Sequence, residues 1–243
     1  MNRYLIIISC GLFWFLFSQQ GVAQDHSWSH YDTTGFFTMD SVYKKGYTLL
    51  FINKDSTFDP GVKRQLINTF FIVYPEEAER FNPQTAKKVT FIIDPHYKGV
   101  AATANAVTRF NPEWFRLHPE DIDVVTHEVM HIVQDYHTGD TPGWLTEGIA
   151  DYARYVYGVN NRSSGWTMPD YNASQSYKNA YRITARFLVW LSKKVDKSIV
   201  VRLNASLRDG TYTEDVWKRL TGKTVDQLWR AYSINPILKL HYR

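Results

Sequence analysis

The apolar residues run in two rhythms, and the change between them divides the chain. Tyr47 to Ile52 and Val89 to Ile93 are unbroken apolar or β-branched runs bounded by polar and turn residues, the pattern of buried strands. Gly99 to Phe110, rich in Ala, Val and Thr, adds one or two more strands. Between the first two runs, Asp59-Pro60 marks a helix start, and Leu66, Ile67, Phe70 and Phe71 follow at helical spacing. Pro75 is expected to break or restart that helix before a second piece reaches about Phe81. From Glu120 the rhythm becomes helical, with Ile122, Val125, Val129, Ile132, Val133 and Tyr136 on one stripe and Gly139 as the stop. Further helices are expected from Thr141-Pro142 to Tyr157, Tyr177 to Lys194, Ser198 to Leu207, Thr213 to Leu220 and Val225 to Tyr232. Asp25 to Gly46, the stretch around Pro112 and Pro119, and Asn160 to Ser176 are read as irregular. A small sheet with helices, followed by a mainly helical half, makes an α+β domain.

The first residues stand apart. Arg3 precedes an apolar stretch, Tyr4 to Phe17, that is short for a membrane span, and Gly21-Val22-Ala23 offers a signal-peptidase site. The expectation is a signal peptide over residues 1–23, a mature N-terminus at Gln24, a single domain over 24–243, and a secreted or periplasmic location with no stable membrane span after cleavage. An uncleaved anchor, or lipidation at Cys10 in Ile7-Ile8-Ser9-Cys10, are the competing readings. Cys10 is the sole cysteine, so the mature chain has no disulfide, thiolate site or cysteine nucleophile and must rely on its core.

Composition changes little else. Hydrophobic residues make up 44% of 243, enough for a sizeable core. The net charge of +4 is spread over scattered pairs such as Lys44-Lys45 and Lys193-Lys194, with no basic run of the kind that binds nucleic acid. The 16% aromatic content suits a core, or a cleft that stacks peptide or sugar groups.

The chemistry is concentrated in His127-Glu128-Val129-Met130-His131. On a helix the two histidines are one turn apart and point the same way, able to hold one Zn2+, while Glu128 beside them can act as general base on a zinc-activated water. A catalytic zinc takes a third protein ligand. Glu147, on the next helix, can return to the ion across a short turn, with Asp151 one turn on to orient a ligand histidine. His137 competes, because its spacing echoes the metzincin signature, with Met168 and Tyr171 as an imaginable Met-turn. Metzincins usually have glycine where this chain has Gln134, since their helix must stop there. Here the apolar pattern runs on to Tyr136, which favours Glu147.

The stretch Trp144-Leu145-Thr146-Glu147-Gly148-Ile149-Ala150-Asp151-Tyr152 resembles the glutamate-bearing helix of gluzincin peptidases such as the M1 aminopeptidases. Together with Gly99-Val100-Ala101-Ala102-Thr103, the His127–Gln134 segment, Pro142-Gly143 and Tyr181-x-x-Thr184-Ala185-Arg186-Phe187-Leu188, it is similar to the plant and bacterial basic secretory protein family, over roughly residues 40 to 235. That resemblance implies a zincin-like metallopeptidase domain, export, a peptide or protein substrate, and Glu147 as third ligand. The chain lacks the Gly-x-Met-Glu-Asn motif of aminopeptidases, which points to endopeptidase action.

Lesser candidates complete the set. Tyr181 or Tyr177 could stabilise the oxyanion, or be core aromatics. Gln134 could hydrogen-bond a backbone or neighbouring group. Arg182 and Arg186 could meet a substrate carboxylate or form a solvated face, and the Val100–Phe110 region could give an edge strand for an extended peptide. Two other functions remain open: a catalytically silent binding or defence module with a retained zinc site, and a zinc hydrolase of cell-wall or glycopeptide amide bonds. Glu128 speaks against the first, because holding a metal does not require it.

Overall fold

The computed structural model describes residues 33–136 and 141–243. The expected signal peptide, Cys10 and His137 lie outside the described residues. Strands β1 (Thr38–Lys44), β2 (Tyr47–Asn53), β3 (Lys88–Ile93), β4 (Ala101–Ala104) and β5 (Val107–Phe110) form one sheet in the order β1-β2-β3-β5-β4. The central pairs β2–β3 and β3–β5 are parallel; the outer pairs β1–β2 and β4–β5 are antiparallel hairpins. Helix α1 (Pro60–Phe81) makes the crossover from β2 to β3. Seven more helices follow: α2 (Pro112–Leu117), α3 (Val124–Gln134), α4 (Gly143–Tyr157), α5 (Tyr181–Lys194), α6 (Ile199–Arg208), α7 (Asp215–Thr221) and α8 (Val225–Ile234). The α+β architecture read from the sequence is what the chain forms.

The two faces of the sheet are unequal. Leu49, Phe51, Phe91 and Phe110 are fully buried in the main core, where Phe70 of α1 meets Phe91 edge-on at 5.5 Å. Ile52, Ile92 and Val107 form a small cluster on the other face. Asp59 starts α1 as expected, accepting from the amides of Gly61 at 2.6 Å and Val62 at 2.8 Å.

Five local expectations are corrected. Part of the lead-in read as irregular is edge strand β1, returned by Lys45-Gly46, both at positive φ (51° and 81°), the geometry of a two-residue hairpin turn. Pro75 does not interrupt α1, which stays continuous through it. Asn111 caps Glu113 and lets Pro112 begin α2 where a loop was expected. The zinc-motif helix starts at Val124 and ends at Gln134, where Asp135 turns left-handed at φ 49°. The apolar pattern through Tyr136 therefore outlasts the helix, and Tyr136 packs half-buried against the core from a loop, its hydroxyl donating to Asn204 at 2.9 Å. Finally, Tyr177–Asn179 is a separate 3-10 turn, because Ala180 at φ 63° breaks the path before α5.

Helices α4 and α5 approach closely at Gly148, where an added Cβ would stand 2.2 Å from Thr184 Cγ2. Overpacking of this kind costs about 1–3 kcal/mol, more than the helix propensity that alanine would gain. Gly148→Ala is therefore expected to lower the thermal midpoint, read by circular dichroism. Adding Thr184→Ser, which removes that methyl and keeps the hydroxyl, should recover part of the loss. An equal or higher midpoint for Gly148→Ala alone would contradict this packing.

Candidate metal centre

Helix α3 carries His127, Glu128 and His131 to the floor of a cleft of about 1510 Å³, and α4 carries Glu147 and Asp151 to the same floor. Three atoms converge there. His127 Nε2 lies 3.2 Å from His131 Nε2 and 3.2 Å from Glu147 Oε2, and His131 Nε2 lies 3.6 Å from Glu147 Oε2.

Neighbouring groups decide what those atoms carry. His127 Nδ1–H donates to Asp151 Oδ1 at 2.7 Å. His131 Nδ1–H donates to Gln134 Oε1 at 2.7 Å, and the amide is oriented by its own Nε2–H, which donates to the Thr146 carbonyl at 2.8 Å. With each Nδ1 as the N–H, both Nε2 atoms present lone pairs, and they face a carboxylate oxygen. Three electron pairs at this distance need positive charge between them, as protons on the rings or as a metal ion. Donor atoms about 2.0–2.1 Å from a tetrahedral zinc stand about 3.3 Å from one another, close to the three separations here. Two imidazoles and a carboxylate with one open side also match the donor chemistry of a catalytic zinc site.

The electrostatics favour positive charge at the same point. Burial works against a charged His127, but the hydrogen bond and charge of Asp151, and then those of Glu147, outweigh it and hold its pKa well above the usual imidazole range. Burial likewise opposes a charged His131, and the Glu147 charge and hydrogen bond overcome it. Burial would raise the Glu147 carboxyl, yet the His131 charge and the hydrogen bonds from both histidines hold it far below the usual carboxylate range.

Glu128 is 6% exposed, and its Oε2 accepts from the Thr103 hydroxyl of β4 at 2.7 Å. Because the one Thr103 proton points to Glu128, Thr108 of β5 must donate to Thr103, at 2.8 Å. Sequence reasoning missed both threonines: nothing in a β-strand pattern tells which hydroxyl will meet a helix across the sheet. Strand β4 is the edge strand of the sheet, as the Val100–Phe110 region was expected to provide, and Ala101, Ala102 and Thr103 line the cleft.

Of the two candidate tyrosines, Tyr181 reaches the site. Its ring stacks on that of His127, centroids 6.2 Å apart and 17° from parallel. Ala180 and Tyr181 hold it there with φ values of 63° and 47°, sparsely populated for residues with a Cβ. Burial, followed by the charges of Glu147, Asp151 and Glu128, raises its pKa, so the hydroxyl stays a donor. Tyr177 instead is buried among core aromatics away from the three converging atoms, its hydroxyl donating to Asp226 at 2.8 Å. The arginine pair is split: Arg182 lines the cleft, whereas Arg186 is buried against Asp170 at 2.7 Å. Met168 and Tyr171 lie elsewhere, against Tyr242 and Trp229.

The model of a family described as peptidase of plants and bacteria matches residues 50–232. A search of curated protein sequences gave no match. Among solved structures, the chain is similar to aminopeptidase A of Legionella pneumophila in complex with aspartic acid, at 12% identity and TM-score 0.53, over 79% of this chain and 27% of that one. It is similar to an aminopeptidase N family protein of Idiomarina loihiensis at 11% identity and TM-score 0.50, over 84% of this chain and 47% of that one. An M1 zinc metallopeptidase of Deinococcus radiodurans aligns at 15% identity and TM-score 0.49, over 84% of this chain and 52% of that one. The chain thus spans about half or less of the length of these structures. At such identities the likeness is one of fold, shared with the two aminopeptidase structures. With a family model covering most of its length, the chain belongs to the family of peptidases of plants and bacteria.

Proposed function

We propose that the protein is a secreted zinc-dependent endopeptidase, with His127, His131 and Glu147 as the metal ligands and Glu128 as the general base. The observation that carries this reading is the convergence of His127 Nε2, His131 Nε2 and a Glu147 oxygen within 3.6 Å of one another, with both Nδ1 atoms engaged elsewhere. A zinc ion held there would supply a Lewis acid that activates water at neutral pH. The remaining chemistry belongs to the chain. Thr103 fixes one oxygen of Glu128, leaving the other to take a proton from the attacking water and return it to the leaving amine. The Tyr181 hydroxyl, kept protonated, donates to the oxyanion of the substrate. Asp151 and Gln134 hold the two imidazoles in the required tautomer. The free edge of β4 pairs with an extended peptide, and the missing Gly-x-Met-Glu-Asn motif removes the amine clamp that would make the enzyme an exopeptidase.

Metal affinity separates this ligand set from the alternative with His137. Competition with a chelator should show one zinc per chain, lost in Glu147→Ala. Asp151→Asn should weaken it by about 10- to 100-fold, as expected when the group orienting a ligand is removed. His137→Ala should stay near wild type. Loss of zinc in His137→Ala with retention in Glu147→Ala would overturn the assignment.

Glu128→Gln should keep its zinc and lose about a hundredfold or more in kcat on a cleaved peptide, the scale of general acid–base catalysis. Thr103→Val should lower kcat with little change in KM, and Thr103→Ser should restore it. Equal kcat for wild type and Glu128→Gln would remove Glu128 as the base.

Export is proposed on the N-terminal pattern alone. Mass spectrometry of protein recovered from the producing cell's exterior or periplasm should find Gln24 first; a retained Met1 or lipidated Cys10 would overturn it.

A further inference from the structure

The cleft extends well past the three converging atoms. Val124, His127 and His131 lie on one stripe of α3, and Glu147, Asp151 and Arg154 on one stripe of α4; all of them line it. At about 1.5 Å of rise per residue, Arg154 stands about 10 Å along α4 from Glu147. An extended peptide covers that distance in about three residues, at about 3.3 Å each.

At this far end the polar groups are engaged with one another. Arg154 Nη2 donates to Asp121 Oδ1, and Trp114 Nε1 donates to Asp121 Oδ2 at 3.0 Å. Arg154 Nε donates to Asn161 at 3.0 Å. The Arg154 guanidinium lies 4.7 Å from the ring centre of Trp166, and the His118 ring 4.2 Å from that of Trp114. Leu117, on the same wall, is 67% exposed although fully apolar. What this end offers to a ligand is therefore aromatic and aliphatic surface around a bonded Asp121–Arg154 pair, with the His118 ring, Ser163 and Ser164 beside it. For a sugar ring the fixed charged partners here would be Asp121 and Arg154, and these are already bonded to each other, to Trp114 and to Asn161.

We propose that Trp114, Leu117, His118 and Trp166 form a subsite for a large apolar or aromatic side chain of the substrate, two or three residues from the bond cleaved. The proposal rests on the peptidase reading for its register. Burying such a side chain removes apolar area from water, and half-burial against this wall is expected to favour Phe over Ala by about tenfold.

The test uses the full zinc-loaded chain and end-blocked hexapeptides that differ at a single position, with Phe, Ala or a glycosylated Asn there. Binding is measured on Glu128→Gln and cleavage on the wild type. Phe should exceed Ala by about tenfold at one position only, and that ratio should fall toward one in Trp166→Ala and in Leu117→Ser. Leu117 is exposed enough that its replacement leaves the core intact. Equal binding of Phe and Ala peptides at every position, no binding at all, a ratio that survives both substitutions, or a preference for the glycosylated peptide overturns the subsite. Cleavage without the preference removes the subsite and leaves the peptidase reading. The preference in binding without cleavage by the wild type keeps the subsite and removes that reading.

Discussion

Two hydrogen bonds between α3 and α4 govern the centre. His127 Nδ1–H donates to Asp151, and Gln134, itself holding His131, donates to the Thr146 carbonyl next to Glu147. Each bond ties a ring on one helix to a group on the other, so tautomer, ring orientation and helix spacing are settled together. Without them either imidazole could turn its N–H inward, and the three acceptor atoms would no longer face one another. The short α3 follows from the same requirement. Its last residue is Gln134, and the left-handed Asp135 then redirects the chain so that α4 can return antiparallel with Glu147 opposite the histidines.

The sheet contributes from the other side. Parallel β3 and β5 are largely buried, and the hairpin with β5 places β4 at the edge, over α3. Two threonine hydroxyls in series, Thr108 to Thr103 to Glu128, connect the sheet to the carboxylate that the proposed mechanism needs. A buried carboxylate is costly unless it is hydrogen-bonded, and this chain of donors both stabilises it and fixes which oxygen is free. On the remaining side, the close approach of α4 and α5 at Gly148 brings the strained Ala180-Tyr181 step beside His127. Strain at these two residues is tolerated because the surrounding helices are held by a large aromatic core around Trp217, Phe187 and Tyr232.

Much of this was legible before any coordinates. The buried runs of β2 and β3, the Asp59 cap, the metal-motif stripe and the helices of the second half rest on local rules of periodicity and capping, which neighbours reinforce. His127 and His131 declare themselves because helical spacing alone puts them on one face, with Glu128 next to the first. Glu147 and Asp151 could be named from sequence as candidates, because a helix–turn–helix has few ways to close.

What the sequence determined is which groups can do chemistry and on which face of their own element they lie, since both follow from residue type and local period. What only the tertiary structure decided is how those elements meet. Pro75 remains inside a helix because packing holds the helix together through it. The helix end at Gln134 overrode an apolar pattern that continued to Tyr136, because Tyr136 can pack half-buried against the core from a loop. The choice of Tyr181 over Tyr177 depended on one strained step at Ala180, and the pairing of Thr103 with Glu128 on the sheet's register against α3. Each of these joins residues far apart in the chain, and contacts of that kind are set by the whole core and leave no local mark in the sequence.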